Sequence, residues 1–163
     1  AQVLSALDRG DWMLALDLQD AYFHIPILQA HRHYLMFKVG HEHFQFKVIP
    51  FGVTSASRVF RKVMAVVAAH LGMSGIPVFS YLDYWLLNAS SAQTVASHLQ
   101  TTPDFLHSLG FTINVPKSHL TPSQMLLFIG AILDTVQFCA YPPQRRVQDI
   151  WAMIPMFQPP SRI

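Results

Sequence analysis

The chain has 163 residues, 52% hydrophobic and 12% charged, with 11 basic against 9 acidic side chains; this excludes intrinsic disorder and suits one packed domain. A formal charge of +2 is too weak a field to announce a nucleic-acid partner by itself. The lone cysteine, Cys139, excludes an internal disulfide and a thiolate zinc site, reads as a small buried hydrophobe, and favours a reducing, intracellular setting.

The start, AQVLSALDRGDW, has neither an initiating Met nor a basic-then-apolar signal, so it reads as the edge of a segment from a longer polypeptide. Residues 13–18 (MLALDL) form a short apolar run ending at an acid, the pattern of a buried strand whose end reaches a site. Across 33–48, YLMFKV, GHEH and FQFKV read as two strands around a glycine-containing turn. After Pro50-Phe51-Gly52, residues 55–71 have helical character, with Ser55 as candidate N-cap. Val59, Val63, Val66 and Val67 recur on one side of that helix, and Arg58, Arg61 and Lys62 fall largely on the other. The chargeless stretch 63–82 is long enough to raise a membrane span. His70, Gly72, Ser74, Gly75 and Pro77 interrupt it, so it reads as helix, turn and strand, and no span is expected.

Residues 77–82 and 85–87 flank Asp83-Tyr84 as a hairpin with a carboxylate at its tip. A second helix starts at Ser90 or Ser91 and ends before Gly110, with Pro103 expected to break or restart it. Residues 125–133 (MLLFIGAIL) form another apolar strand candidate. The tail from Pro142 carries Arg145, Arg146, Val147, Ile150, Trp151 and Ile154 at the spacing of a helix, over 145–157, that lacks a packing partner. Strands and helices alternate without regular βαβ spacing, which predicts an α+β fold: an antiparallel sheet with helices packed on one face.

Asp17 and Asp83 each close an apolar run, and a buried, unpaired carboxylate is costly unless a cation or donors meet it. Two such acids invite Mg²⁺, which binds few protein oxygens and takes phosphate oxygens for the rest; singly, each is an ordinary turn acid. His31, His33, His41 and His43 sit at alternate positions near one hairpin. No cysteine accompanies them and no zinc site is expected. Neither a phosphate-binding glycine loop nor a nucleophile elbow is present.

The odds shift with the ordered set LDLQDAYFHIPI (16–27), IPFGVTSASRVF (49–60), YLDY (81–84), LGFTINVPKS (109–118) and FIG (128–130). Together these resemble the reverse transcriptase family, matching its palm motifs A to E over nearly the whole chain. DLQDAYFHIPI, HRHYLMF, YLDYWLL and FIGAILDT are most similar to retrotransposons of the DIRS type, which pair such a polymerase with a tyrosine recombinase. The resemblance implies a polymerase palm with part of the fingers over 1–141 and the start of a thumb or connection over 142–163, fingers and thumb both incomplete. It implies an RNA-directed DNA polymerase in which a primer 3′-hydroxyl attacks a deoxynucleoside triphosphate, with two Mg²⁺ (or Mn²⁺) ions as cofactors.

By the same resemblance, Asp17 and Asp83 are the metal ligands, and the backbone of Leu18, Gln19, Asp20 and Ala21 cradles the triphosphate. Tyr22 lies under the deoxyribose and blocks a 2′-hydroxyl. Phe51 and Gly52 border the nascent base pair, with Phe51 standing where retroviral relatives carry glutamine. Lys117 protonates the leaving pyrophosphate. Arg58, Arg61, Lys62 and Tyr81 touch template or primer, and Phe128, Ile129 and Gly130 grip the primer end. Implied partners are an RNA or DNA template with its primer, dNTPs, and RNase H and recombinase domains of a longer polyprotein.

One residue departs from the family pattern: Tyr84 stands where a second aspartate follows Asp83. A neutral phenol is a poor ligand at neutral pH. Impaired or absent polymerisation is therefore the expectation. The alternatives are a catalytically silent nucleic-acid-binding remnant of a retroelement, using the sheet with Arg58, Arg61 and Lys62, and a translated remnant of marginal stability.

Overall fold

A computed structural model describes residues 3–154. β1 (Trp12–Asp17) lies inside a four-stranded antiparallel sheet ordered β4-β5-β1-β6, with β4 at Val78–Tyr81, β5 at Tyr84–Ala89 and β6 at His119–Ser123. β2 (Met36–Val39) and β3 (Glu42–Gln45) make a separate hairpin, and β7 (Met125–Phe128), β8 (Ala131–Asp134) and β9 (Cys139–Tyr141) a three-stranded antiparallel sheet. The helices are α1 (Ala56–Met73), α2 (Ala92–Ser108) and α3 (Gln144–Met153).

β1 is apolar at successive positions because both of its faces are covered. Leu14 and Leu16, with Trp85 and Leu87 of β5, meet Phe60, Met64, Val67 and Leu71 of α1 and Val95 and Leu106 of α2. Met13, Ala15 and Leu86 point the other way, onto Leu126, Phe128 and Leu133 of β7 and β8. The expected arrangement of helices on one face is thus present, and the small second sheet closes the other face. None of the helices among the described residues is long and apolar enough to cross a membrane.

Several local expectations are corrected. The buried stripe of α1 is Ala56, Phe60, Met64, Val67 and Leu71, while Val66 is exposed; the larger Phe60 and Met64 set the helix rotation. Ser55 occupies the N-cap of α1 without a side-chain bond, whereas Ser91 caps α2 by accepting from the Thr94 N–H at 3.1 Å. Gly110, at φ 88°, follows the C-cap of α2 as expected.

Pro103 does not break α2, which runs through it. An interior proline costs about 3 kcal/mol, but burial of a Val or Leu side chain returns roughly 1.5–3 kcal/mol. The face of Val95, His98, Thr102 and Leu106 is buried on the sheet and outweighs the lost bond. The 125–133 run is a hairpin, folded at Ile129-Gly130. Within 33–48 the strands are shorter than expected: Tyr34 and Leu35 end a 3-10 helix over Gln29–Leu35, and Phe46 lies past β3. Cys139 is half-buried in β9. α3 is present with no buried residue, and the rest of the tail from 155 lies outside the described residues.

Candidate active site

The end of β1 and the β4–β5 turn meet because their strands are registered. Asp17 pairs with Tyr84 across β1 and β5, and the Leu18 N–H donates to the Asp83 carbonyl at 2.9 Å. The turn holds only Leu82 and Asp83, with Leu82 at φ 54°. Two acids 66 positions apart in sequence are thereby set side by side.

The segment after α2 then wraps the end of β1. The Gln19 N–H donates to the Thr112 carbonyl and the Asn114 N–H to the Asp17 carbonyl, each at 2.8 Å. The Asp17 N–H donates to Ser118 Oγ at 3.0 Å, and that hydroxyl donates to the Asn114 carbonyl at 2.8 Å. These bonds fix residues 113–117 as one wall of an open cleft of about 730 Å³. Asp17, Leu18, Gln19, Asp20, Ala21, Tyr22, Phe51, Asp83 and Lys117 all line it. The turn carrying the first of these is helped by Asp20, which adopts φ 51°, a conformation aspartate tolerates.

Charge is concentrated at one end. Asp17 is 4% exposed. Burial, and secondarily the negative charge of Asp17, raises the pKa of Asp83 above its ordinary range; a backbone hydrogen bond and the Lys117 ammonium pull the other way. Tyr84 is pushed above 10 by burial, then by the charges of Asp17 and Asp83 and by its hydrogen bond to Asp17. Neither aspartate has an ion-pair partner among the described residues. This pair of oxygen donors, faced across the cleft by the Lys117 ammonium, fits a hard divalent cation. Among the described residues no three His, Cys, Asp or Glu side chains converge, so such an ion would draw its remaining ligands from phosphate, backbone or water. The same holds for His31, His33, His41 and His43, which form no triad of ligands.

The other end is aromatic. The Tyr22 ring contacts Phe51 at 5.4 Å and the buried Phe60 at 5.5 Å, both edge-on. Gly52, at φ 90°, turns the chain beside Phe51 but does not itself line the cleft. Arg58, Arg61 and Tyr81 line an adjoining groove of about 500 Å³ that shares Leu82 with the cleft. Lys62 is exposed on α1 outside that groove. Ile129 and Gly130 border a third hollow with Tyr84 and Lys117, whereas Phe128 is buried in the core beneath. Sequence reasoning did not single out Leu82, Asn114 or Ser118. Their contributions are a backbone angle and backbone hydrogen bonds, which residue type does not announce.

Residues 1–133 match the family model for reverse transcriptase (RNA-dependent DNA polymerase). The Gag-Pol polyprotein of Rous sarcoma virus subgroup B (strain Schmidt-Ruppin) is 31% identical over 136 residues, covering 78% of this chain and 8% of the polyprotein. Protein P of heron hepatitis B virus is 26% identical over 118 residues, covering 72% of this chain and 15% of that protein. The structure of the foamy viral protease-reverse transcriptase in complex with RNA/DNA hybrid superposes with a TM-score of 0.79 at 14% identity, over 93% of this chain and 20% of that one. The chain thus spans a fifth or less of the length of these relatives, and its fold is the reverse transcriptase palm. On the match over 1–133, the chain belongs to the reverse transcriptase (RNA-dependent DNA polymerase) family.

Proposed function

We propose that the cleft is the nucleotidyl-transfer centre of an RNA-directed DNA polymerase, weakened by Tyr84. The observation that carries this reading is the β1/β5 register, with Asp17 opposite Tyr84 and Asp83 bonded through its carbonyl to Leu18. Asp17 and Asp83 would hold Mg²⁺ or Mn²⁺, which supplies activation of a primer 3′-hydroxyl and neutralisation of a leaving pyrophosphate when bound. The chain's own residues do the rest. Lys117 presents an ammonium at the wall where triphosphate charge collects. The backbone of Leu18, Gln19, Asp20 and Ala21 lines the approach, and Tyr22 forms a floor under the sugar, where its bulk opposes a 2′-hydroxyl.

Tyr84 acts against this. It sits directly opposite Asp17 across β1 and β5, and burial together with the charges of Asp17 and Asp83 keeps its phenol protonated there. It also withholds the negative charge that the family pattern places there. A unit charge about 4 Å away is worth about 4 kcal/mol per unit charge of the ion at an effective dielectric near 20, and each 1.4 kcal/mol is about tenfold. The test is primer extension on an RNA template by an intact reverse transcriptase carrying this palm segment. Tyr84→Asp should raise extension by at least about tenfold; no gain would refute the assignment of Tyr84 as the weak point.

A second reading is a catalytically silent module that grips a template–primer duplex. It is favoured by Arg58 and Arg61, which share one groove and have no ion-pair partner among the described residues. It predicts salt-sensitive binding that ignores Mg²⁺. The motif wording favours a retrotransposon origin of the DIRS type, with residues 1–141 as palm and α3 opening a thumb or connection.

A further inference from the structure

We propose that His24 is a positioning residue for the cleft: it draws the Gln19 carbonyl away from the side where phosphate binds and thereby turns the Asp20 N–H toward that side. This rests on the nucleotide reading above and adds the side chain that shapes the backbone between Leu18 and Ala21. Gln19 and Asp20 line the cleft, and His24 does not. From outside the cleft, His24 Nε2 lies 2.8 Å from the Gln19 carbonyl oxygen. A carbonyl only accepts, so Nε2 carries the proton and donates.

The imidazole is itself held. Its ring lies 5.2 Å from that of Phe111, tilted by 60°, and Phe111 is buried with its own edge-on contact to Phe60 at 6.5 Å. Gln19 is gripped at its other end too, where its N–H donates to the Thr112 carbonyl at 2.8 Å. None of the described peptide bonds is cis, and in a trans peptide the carbonyl of residue 19 and the N–H of residue 20 point in opposite directions. Holding the oxygen toward His24 therefore sends the Asp20 N–H the other way. Among the described residues that N–H meets no acceptor. Asp20 holds φ 51°, a left-handed angle that flipping this peptide would relieve; the His24 bond opposes the flip. A flipped peptide would aim a carbonyl dipole at a polyanion, whereas the observed one offers a donor for a charge-assisted hydrogen bond.

The experiment is calorimetric titration of the full 163-residue chain with inorganic triphosphate at fixed Mg²⁺, and separately with Mn²⁺ alone. His24→Phe keeps a ring against Phe111 and removes the donor. It should weaken triphosphate binding about tenfold, as loss of one hydrogen bond to a charged group does. Its Mn²⁺ affinity should stay unchanged, because Asp17 and Asp83 are untouched. His24→Gln, whose amide N–H reaches about as far as Nε2, should bind triphosphate within about threefold of the wild-type chain. Equal triphosphate affinity in the wild-type and His24→Phe chains overturns the role of His24 while leaving the nucleotide reading intact. Equal losses in the Phe and Gln variants overturn it too, since they deny the N–H any part, as does a parallel loss of Mn²⁺ affinity, which marks a general structural role. A wild-type chain that binds no triphosphate overturns the nucleotide reading, and the role of His24 with it.

Discussion

Ile129 shows how much of this site is backbone geometry. A β-branched residue at φ 49°, followed by Gly130 at φ 76°, closes the β7–β8 hairpin, a pair of positions at which Asn-Gly is favoured. Ile129→Asn should therefore raise stability by about 1 kcal/mol, read as a higher urea midpoint; a lower midpoint would mean that the apolar contacts of Ile129 outweigh its strain. His98 belongs at the same scale. Burial lowers its pKa below 6.5, and its Nδ1 has no partner. The unfolded chain takes up the proton first, so the stability contributed by neutral His98 is present above pH 6.5 and lost as pH falls below it. His98→Leu should flatten that limb of the urea midpoint plotted against pH, and an unchanged slope would count against it. Asp83 acts with the opposite sign: its raised pKa removes stability as pH rises above 3.8. Asp17 and Asp83 were legible in the sequence because the ordered motifs around them, LDLQDAYFHIPI and YLDY among them, resemble those of reverse transcriptases; the apolar runs alone mark only ordinary turn acids. Leu82 and Ser118 were not, because what they supply is a positive φ and a hydroxyl partner for a backbone N–H.

Among the elements, β1, α1 and the β4–β5 hairpin could be read directly, since each carries an apolar pattern bounded by turn residues. The β7–β8 hairpin could not, because its Ile129-Gly130 turn lies hidden inside a continuous apolar run. Nor could the continuity of α2, which depends on a sheet contributed by distant segments. Pro103→Ala restores an N–H toward the Leu99 carbonyl and should stabilise the chain by about 1–3 kcal/mol in urea unfolding; destabilisation would show that Pro103 packs better than the helix penalty suggests. On α1, Arg58 and Arg61 share the groove with Tyr81. Replacing either with Ala should lower the slope of log affinity for a primer–template against log salt by about 1. Lys62→Ala, outside that groove, should change it less. Equal effects from all three would argue for a diffuse basic face without a defined track.

Across the molecule, one sheet does two tasks. Its middle is sealed on one face by α1 and α2 and on the other by β7 and β8, and the end of β1 and the β4–β5 turn open to the cleft. The central claim is that Asp17 and Asp83 form one cation site and that Tyr84 is the group that weakens it. Manganese binding to this chain, measured by calorimetry, tests it most directly. Tyr84→Asp should bind Mn²⁺ at least about tenfold more tightly than the wild-type chain, and adding Asp17→Asn should abolish that gain. Equal affinity in the wild-type and Tyr84→Asp chains, or a gain that survives Asp17→Asn, would contradict the account.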